Sequence, residues 1–132
     1  MYNSDYLKAI HSALQTKRTY GQKNCPVART LDLIGERWTL LILRDLFLHG
    51  PRRYQDFQDS LAGVAPNTLS ARLKELEGHG LLERKLYSEH PPRLEYHLTE
   101  KGSSLRPVMK ALRDWGLQLS SGRQRTRKIA VP

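Results

Sequence analysis

Residues 66–102 read PNTLSARLKELEGHGLLERKLYSEHPPRLEYHLTEKG, and this stretch decides the fold. Pro66 stands where a helix favours proline, at its first residue, because the missing N–H has no intrahelical partner there. Leu69, Leu73 and Leu76 follow at spacings of four and three, one apolar stripe on a helix of 3.6 residues per turn. The pattern breaks at Gly78-His79-Gly80. Residues 82–87 and 93–98 then read as strands joined by a tip over residues 88–92. In the second strand Leu94, Tyr96 and Leu98 alternate with Arg93, Glu95 and His97, so one face is expected to pack and the other to meet solvent. Thr99 is expected to cap a new helix, with Glu100 in the first turn, where the helix dipole favours an acid. Helix, hairpin, helix is the layout of a winged helix-turn-helix: a mainly α fold with a small β-hairpin, of α+β type.

Upstream, Tyr54, Phe57 and Leu61 mark a short helix closed by Gly63. Gly63, Val64 and Ala65 are then a turn of the length that joins the two helices of a helix-turn-helix. Residues 38–49 are apolar nearly all round (Leu40, Leu41, Ile42, Leu43, Leu46, Phe47), the mark of a central buried helix, and Gly50-Pro51 ends it. Cys25-Pro26 opens an earlier helix with Val27, Leu31 and Ile34 as its apolar face. Further upstream, Leu7, Ile10 and Leu14 form one stripe on residues 1–24, an arm that would pack on the domain or on a partner subunit; the alternative is a mobile tail. Downstream, Leu105, Val108, Met109, Leu112, Trp115 and Leu119 belong to a last helix that Pro107 is expected to kink. Residues 120–132 hold four basic residues and no acid, and are expected to be disordered. The reading is one domain, residues 25–119, between an N-terminal arm and a basic tail.

Composition narrows the function classes. The 132 residues carry 22 Lys and Arg against 13 Asp and Glu, a formal charge of +9, which favours an anionic partner, nucleic acid before a membrane surface; for a winged helix the natural one is double-stranded DNA. A hydrophobic content of 39% is enough for a core and too much for a disordered chain. The single cysteine precludes an internal disulfide and fits a reducing compartment. The N-terminus lacks an apolar core of signal-peptide type, and the longest apolar run is broken by Arg44 and Asp45, well short of the roughly 20 residues a bilayer span needs. A cytoplasmic protein with no membrane partner is expected.

On the helix that starts at Pro66, Asn67, Ala71 and Lys74 face away from the leucine stripe, with Thr68 and Ser70 on its flanks. A recognition helix offers its N-terminal residues to base edges. Asn pairs with adenine in a bidentate way, and Ser or Thr bonds to either kind of partner. The helix N-terminus also attracts phosphate. His90 and Arg93 sit at the hairpin tip, Arg93 suited to a minor groove or a phosphate, with Glu89 opposing close phosphate contact. Arg52 and Arg53 are candidates for backbone contact, Lys101 a weaker one. For Arg72 an intramolecular ion pair competes with DNA. Two other readings stay open: a winged-helix protein-interaction module, and a basic RNA-binding protein without operator specificity, which would want exposed aromatics for stacking.

Cys25 is the other candidate site, since a helix N-terminus favours a thiolate and Arg29 lies one turn on; the alternative is a buried, inert thiol. Enzyme chemistry finds no footing. The five histidines have no metal-ligand spacing with each other or with Cys25, and no GxSxG, P-loop or GxGxxG is present, so neither catalytic residue nor metal nor cofactor is expected.

From Cys25 to about Gly116 the chain resembles the HxlR-type winged helix-turn-helix transcription regulators, relatives of the MarR-like regulators. The matching pieces are CPVARTLDLIGERWTLLILRDL, then TLSARLKELEGHGLLERKLYSEHPPRLEYHLTEKG, then Trp115-Gly116. The resemblance implies a homodimeric bacterial regulator on pseudo-palindromic operators. It implies dimerisation through N- and C-terminal helices, here Leu7, Ile10, Leu14, Leu105, Leu112, Trp115 and Leu119. It also implies that Cys25 answers to quinones, aldehydes or thiol oxidants, as the matching cysteine does in several members, or that a small-molecule effector acts. Two departures stand out. Val64-Ala65 replaces a common Ile-Ser, which removes a hydroxyl that would cap the next helix or touch phosphate. Tyr54 and Phe57 stand where Phe and Leu are frequent, a difference expected to alter packing more than function.

Overall fold

The computed structural model describes Asp5 and residues 24–120. The stripe at Leu7, Ile10 and Leu14 and the basic tail lie outside the described residues. The element order is α1 (Pro26–Ile34), α2 (Arg37–His49), α3 (Tyr54–Ser60), α4 (Pro66–Gly78), β1 (Leu82–Glu89), β2 (Pro92–Leu98), α5 (Glu100–Ser103) and α6 (Arg106–Ser120).

The core forms where α2, α3 and α4 meet the base of the hairpin. Ile42, Leu43 and Leu46 of α2, Phe57 and Leu61, Leu69, Leu73 and Leu76 of α4, and Leu81 and Leu82 are all buried. Burying each such side chain stabilises the fold by roughly 1.5–3 kcal/mol relative to exposing it. The leucine stripe of α4 therefore fixes the rotation of that helix and leaves its opposite side outside.

Asp32, Thr39, Asp45 and His79 are the buried polar residues among the described residues, and Asp45 is the most deeply buried of them. Asp45, 1% exposed, accepts from the Arg44 guanidinium at 2.8 Å and from the Ser60 hydroxyl. It ties the middle of α2 to the last residue of α3.

Several expectations need correction. α1 reaches the core through Ile34 and Leu33, whereas Val27 and Leu31 are 68% and 52% exposed. A helix lying on a domain buries one stripe only, and here the stripe is rotated from the expected one. α3 ends at Ser60, so the turn spans residues 61–65, with Leu61 buried as C-cap and Gly63 at φ +89°, a value that L side chains rarely adopt. Pro107 does not kink a helix. The chain breaks at Ser104-Leu105, and Pro107 is the second residue of α6, where its missing N–H leaves no carbonyl unpaired.

Thr99 caps α5 as expected, its hydroxyl oxygen accepting from the Gly102 N–H at 3.0 Å. The hairpin is longer than read, with Leu82 opposite Leu98, Leu86 opposite Leu94 and Glu89 opposite Pro92. The expected alternation of β2 does not appear in its exposure: residues 92–94 are exposed and residues 95–98 all partly buried, with Tyr96 and Leu98 packing on the core. Leu94 is exposed, because the two-stranded ribbon has by then left the domain and has nothing to pack against.

Candidate nucleic-acid interface

α4 starts at Pro66 after Ala65, which offers no side-chain cap, and its first turn holds no acid. Pro66, Asn67 and Lys74 are exposed, while Thr68, Ser70 and Ala71 are partly so. Among the described residues Lys74 has no acid within ion-pair distance. The three leucines that anchor the helix thus turn a small polar N-terminal surface and one lysine outward. Arg72 is taken up at 2.8 Å by Glu75.

Two bonds from α3 reach the start of this helix. The Tyr54 hydroxyl donates to the Pro66 carbonyl at 3.2 Å, and the Ser70 hydroxyl lies 3.4 Å from the Tyr54 oxygen. The first residues of α4 are therefore steadied by a side chain of the preceding helix, not by a cap of their own. Reading along the chain missed this contact, since Tyr54 registers there only as an apolar marker.

The wing is pinned at its base. Arg52 pairs main chain to main chain with Tyr96, by bonds of 3.1 and 2.6 Å. The Tyr96 ring meets Phe57 edge-on, centroids 5.9 Å apart. Arg84 of β1 pairs with Glu77 of α4 at 3.0 Å, and Lys101 donates to the His79 carbonyl at 2.9 Å. Lys101, although exposed, thus also secures the end of α4. At the tip, His90 and Arg93 are exposed and the Ser88 hydroxyl donates to the Pro91 carbonyl at 3.1 Å.

The two arginines before α3 differ. Arg52 is partly buried and donates to the Asp56 carbonyl at 3.2 Å. Arg53 is exposed and meets the Asp56 carboxylate at 3.2 Å. Hydrogen bonds to Asp56 first, and to Tyr87 of the wing second, hold the Arg53 guanidinium above its ordinary range. The same contact with Arg53 holds the Asp56 carboxyl below the usual carboxylate range. Arg53 therefore faces the wing while engaged to an acid, and a phosphate would have to compete for it.

Cys25 lies at the far end of the chain order from this surface. It is the N-cap of α1, half-buried, and the Ala28 N–H donates to its Sγ at 3.4 Å. Of the expected interface residues, Leu112, Trp115 and Leu119 are exposed on α6, whereas Leu105 turns partly into the core. Among the described residues no group of three or more His, Cys, Asp or Glu is placed to hold a metal ion, and no helix is long and apolar enough to cross a membrane.

Residues 33–125 match the family model of the HxlR-like helix-turn-helix. The chain is 42% identical over 92 residues to the uncharacterized HTH-type transcriptional regulator sll1512 of Synechocystis sp., covering 70% of this chain and 67% of that protein. Among solved structures it is similar to the redox regulator HypR in its oxidized form, with a TM-score of 0.66, 34% identity, and coverage of 75% of this chain and 98% of that one. The reduced form of the transcriptional regulator YodB from Bacillus subtilis gives a TM-score of 0.63 at 34% identity, with the same coverage of both chains.

Proposed function

Because the chain belongs to the HxlR-like helix-turn-helix family of transcriptional regulators, we propose that it acts as a cytoplasmic homodimer which binds pseudo-palindromic operator DNA through α4 and the wing, without catalytic chemistry of its own. The observation that carries this is the outer side of α4: an N-terminus free of acid, with exposed Asn67 and Lys74, set beside a hairpin whose tip presents Arg93. Pro66, Asn67, Thr68, Ser70, Ala71 and Lys74 would enter the major groove, where Asn67 is suited to adenine and the helix N-terminus to a phosphate. His90 and Arg93 would follow the adjacent groove or backbone, and Arg53 would reach a phosphate once released from Asp56. Arg52 is better suited to holding the wing than to binding DNA, because its main chain and side chain are both engaged.

The partner subunit would cover Leu112, Trp115 and Leu119 of α6 and the arm that carries Leu7, Ile10 and Leu14. The test is fluorescence anisotropy on the duplex immediately upstream of the protein's own gene against a scrambled duplex, over a salt series. A preference for the upstream duplex that persists at moderate salt supports the reading. Equal, steeply salt-dependent binding to both duplexes reduces the interaction there to charge alone.

A second reading concerns Cys25. Its Sγ faces the first turn of α1 and accepts from a backbone N–H, and the similar proteins HypR and YodB were solved in oxidized and reduced forms. Oxidation or alkylation of the thiol would replace that acceptor and disturb the start of α1, a route for oxidant control of the dimer. Diamide treatment should modify Cys25 by mass and change operator affinity in the natural protein and not in Cys25→Ser. An unmodified thiol with unchanged affinity removes the sensor role.

A further inference from the structure

We infer that the Tyr54 hydroxyl fixes the hydrogen-bonding polarity of Ser70, so that α4 reads an exocyclic amino group, on adenine or cytosine, at the base Ser70 faces. The inference rests on the placement of α4 in the major groove proposed above.

The Tyr54 oxygen lies 3.2 Å from the Pro66 carbonyl oxygen and 3.4 Å from Ser70 Oγ. A carbonyl only accepts, so the single phenolic proton goes to Pro66. The phenolic oxygen can then only accept from Ser70, and the single serine proton goes to it. Ser70 keeps its lone pairs and has no proton left to give.

A serine in this state differs from the generic one, which bonds to donors and acceptors alike. In the major groove it can accept from adenine N6 or cytosine N4. It offers nothing to guanine N7 or O6, to thymine O4 or to a phosphate oxygen, all of which are acceptors only. Tyr54 also removes the alternative that a helical serine ordinarily takes, a bond back to the carbonyl four residues earlier. For Ser70 that carbonyl belongs to Pro66, whose two lone pairs already face the helical N–H of Ser70 and the phenol. Tyr54 is on these grounds a positioning residue, since it acts on the base through Ser70.

The experiment uses the full-length protein and duplexes enriched by it from a randomised library, with each base pair then varied singly and affinity read by anisotropy at fixed salt. At one position in each half-site, adenine or cytosine on the strand Ser70 faces should be preferred by about 3- to 10-fold, the worth of one hydrogen bond. Ser70→Ala should abolish that preference. Tyr54→Phe, which keeps the ring and frees the serine proton, should abolish most of it while the other positions keep theirs. A purely structural role for Tyr54 would instead weaken binding to all duplexes alike. Retention of the preference in Tyr54→Phe, with its loss in Ser70→Ala, overturns the inference, as does a Ser70→Ala protein with an unaltered profile. If Asn67→Ala and Lys74→Ala also leave every position unchanged, the failure lies with the placement of α4 itself.

Discussion

Leu73 and Lys74 are neighbours in the chain and opposites in the fold. Leu73 is 1% exposed at the centre of the core and Lys74 is outside it. Leu73→Ala should therefore cost about 2–5 kcal/mol of stability in chemical denaturation. Lys74→Ala should leave stability within about 0.5 kcal/mol and lower operator affinity. Intact binding in Lys74→Ala would reverse the assignment of the outer side. This division was legible in the sequence because helical periodicity separates residues that lie next to each other. What periodicity cannot show is a partner far along the chain. Asp45 looks there like an interruption of an apolar run, yet it is buried and held by Ser60, 15 residues away. Tyr54 reads as an apolar marker, yet its hydroxyl bonds to Pro66, 12 residues on. Asp45→Ala, by leaving Ser60 without its acceptor and opening a small void, should destabilise by about 1–3 kcal/mol in the same denaturation assay.

At the scale of elements, the order of helices and strands follows from prolines, glycines and caps that act locally. The expectations that failed concern how elements meet. Of the stripe Val27, Leu31 and Ile34 on α1 the core takes only Ile34, with Leu33 beside it. Pro107 lies within a continuous apolar pattern, but Leu105 turns inward and splits it into α5 and α6. That junction depends on Gly102, buried beneath the hairpin: a Cβ there would stand 2.1 Å from the Leu81 carbonyl oxygen. Gly102→Ala should cost about 1–3 kcal/mol, read as a lowered melting temperature, because backbone must move to admit the methyl group. Unaltered melting would mean that α5 is not held against Leu81. The wing carries a different prediction. Its base is tied to Arg52, Phe57 and Glu77, and its tip presents Arg93 to solvent. Arg93→Ala should leave base preference intact and reduce the salt slope of operator binding by about 1, the signature of one lost phosphate contact. An unchanged slope would place the tip away from the backbone.

At the scale of the molecule, the charge of +9 and the exposed apolar residues point to two different partners. Asn67, Lys74 and Arg93 are exposed on α4 and the wing, while Leu112, Trp115, Leu117 and Leu119 are exposed on α6. Exposed apolar residues gathered on one helix are usual at protein–protein contacts. Trp115→Asp should shift the protein toward monomer in sedimentation and weaken operator binding, with helix content retained in circular dichroism. A dimer of undiminished strength would move the interface off α6. The central claim is that two copies of α4 read two successive major grooves. Its most direct test is selection of bound duplex from a randomised library by the full-length protein. The account predicts enrichment of a two-fold symmetric motif with half-site centres about 34 Å apart, one turn of DNA. Retention of duplex with no enriched motif, lost steeply as salt rises, would contradict it and leave a basic protein that binds DNA by charge.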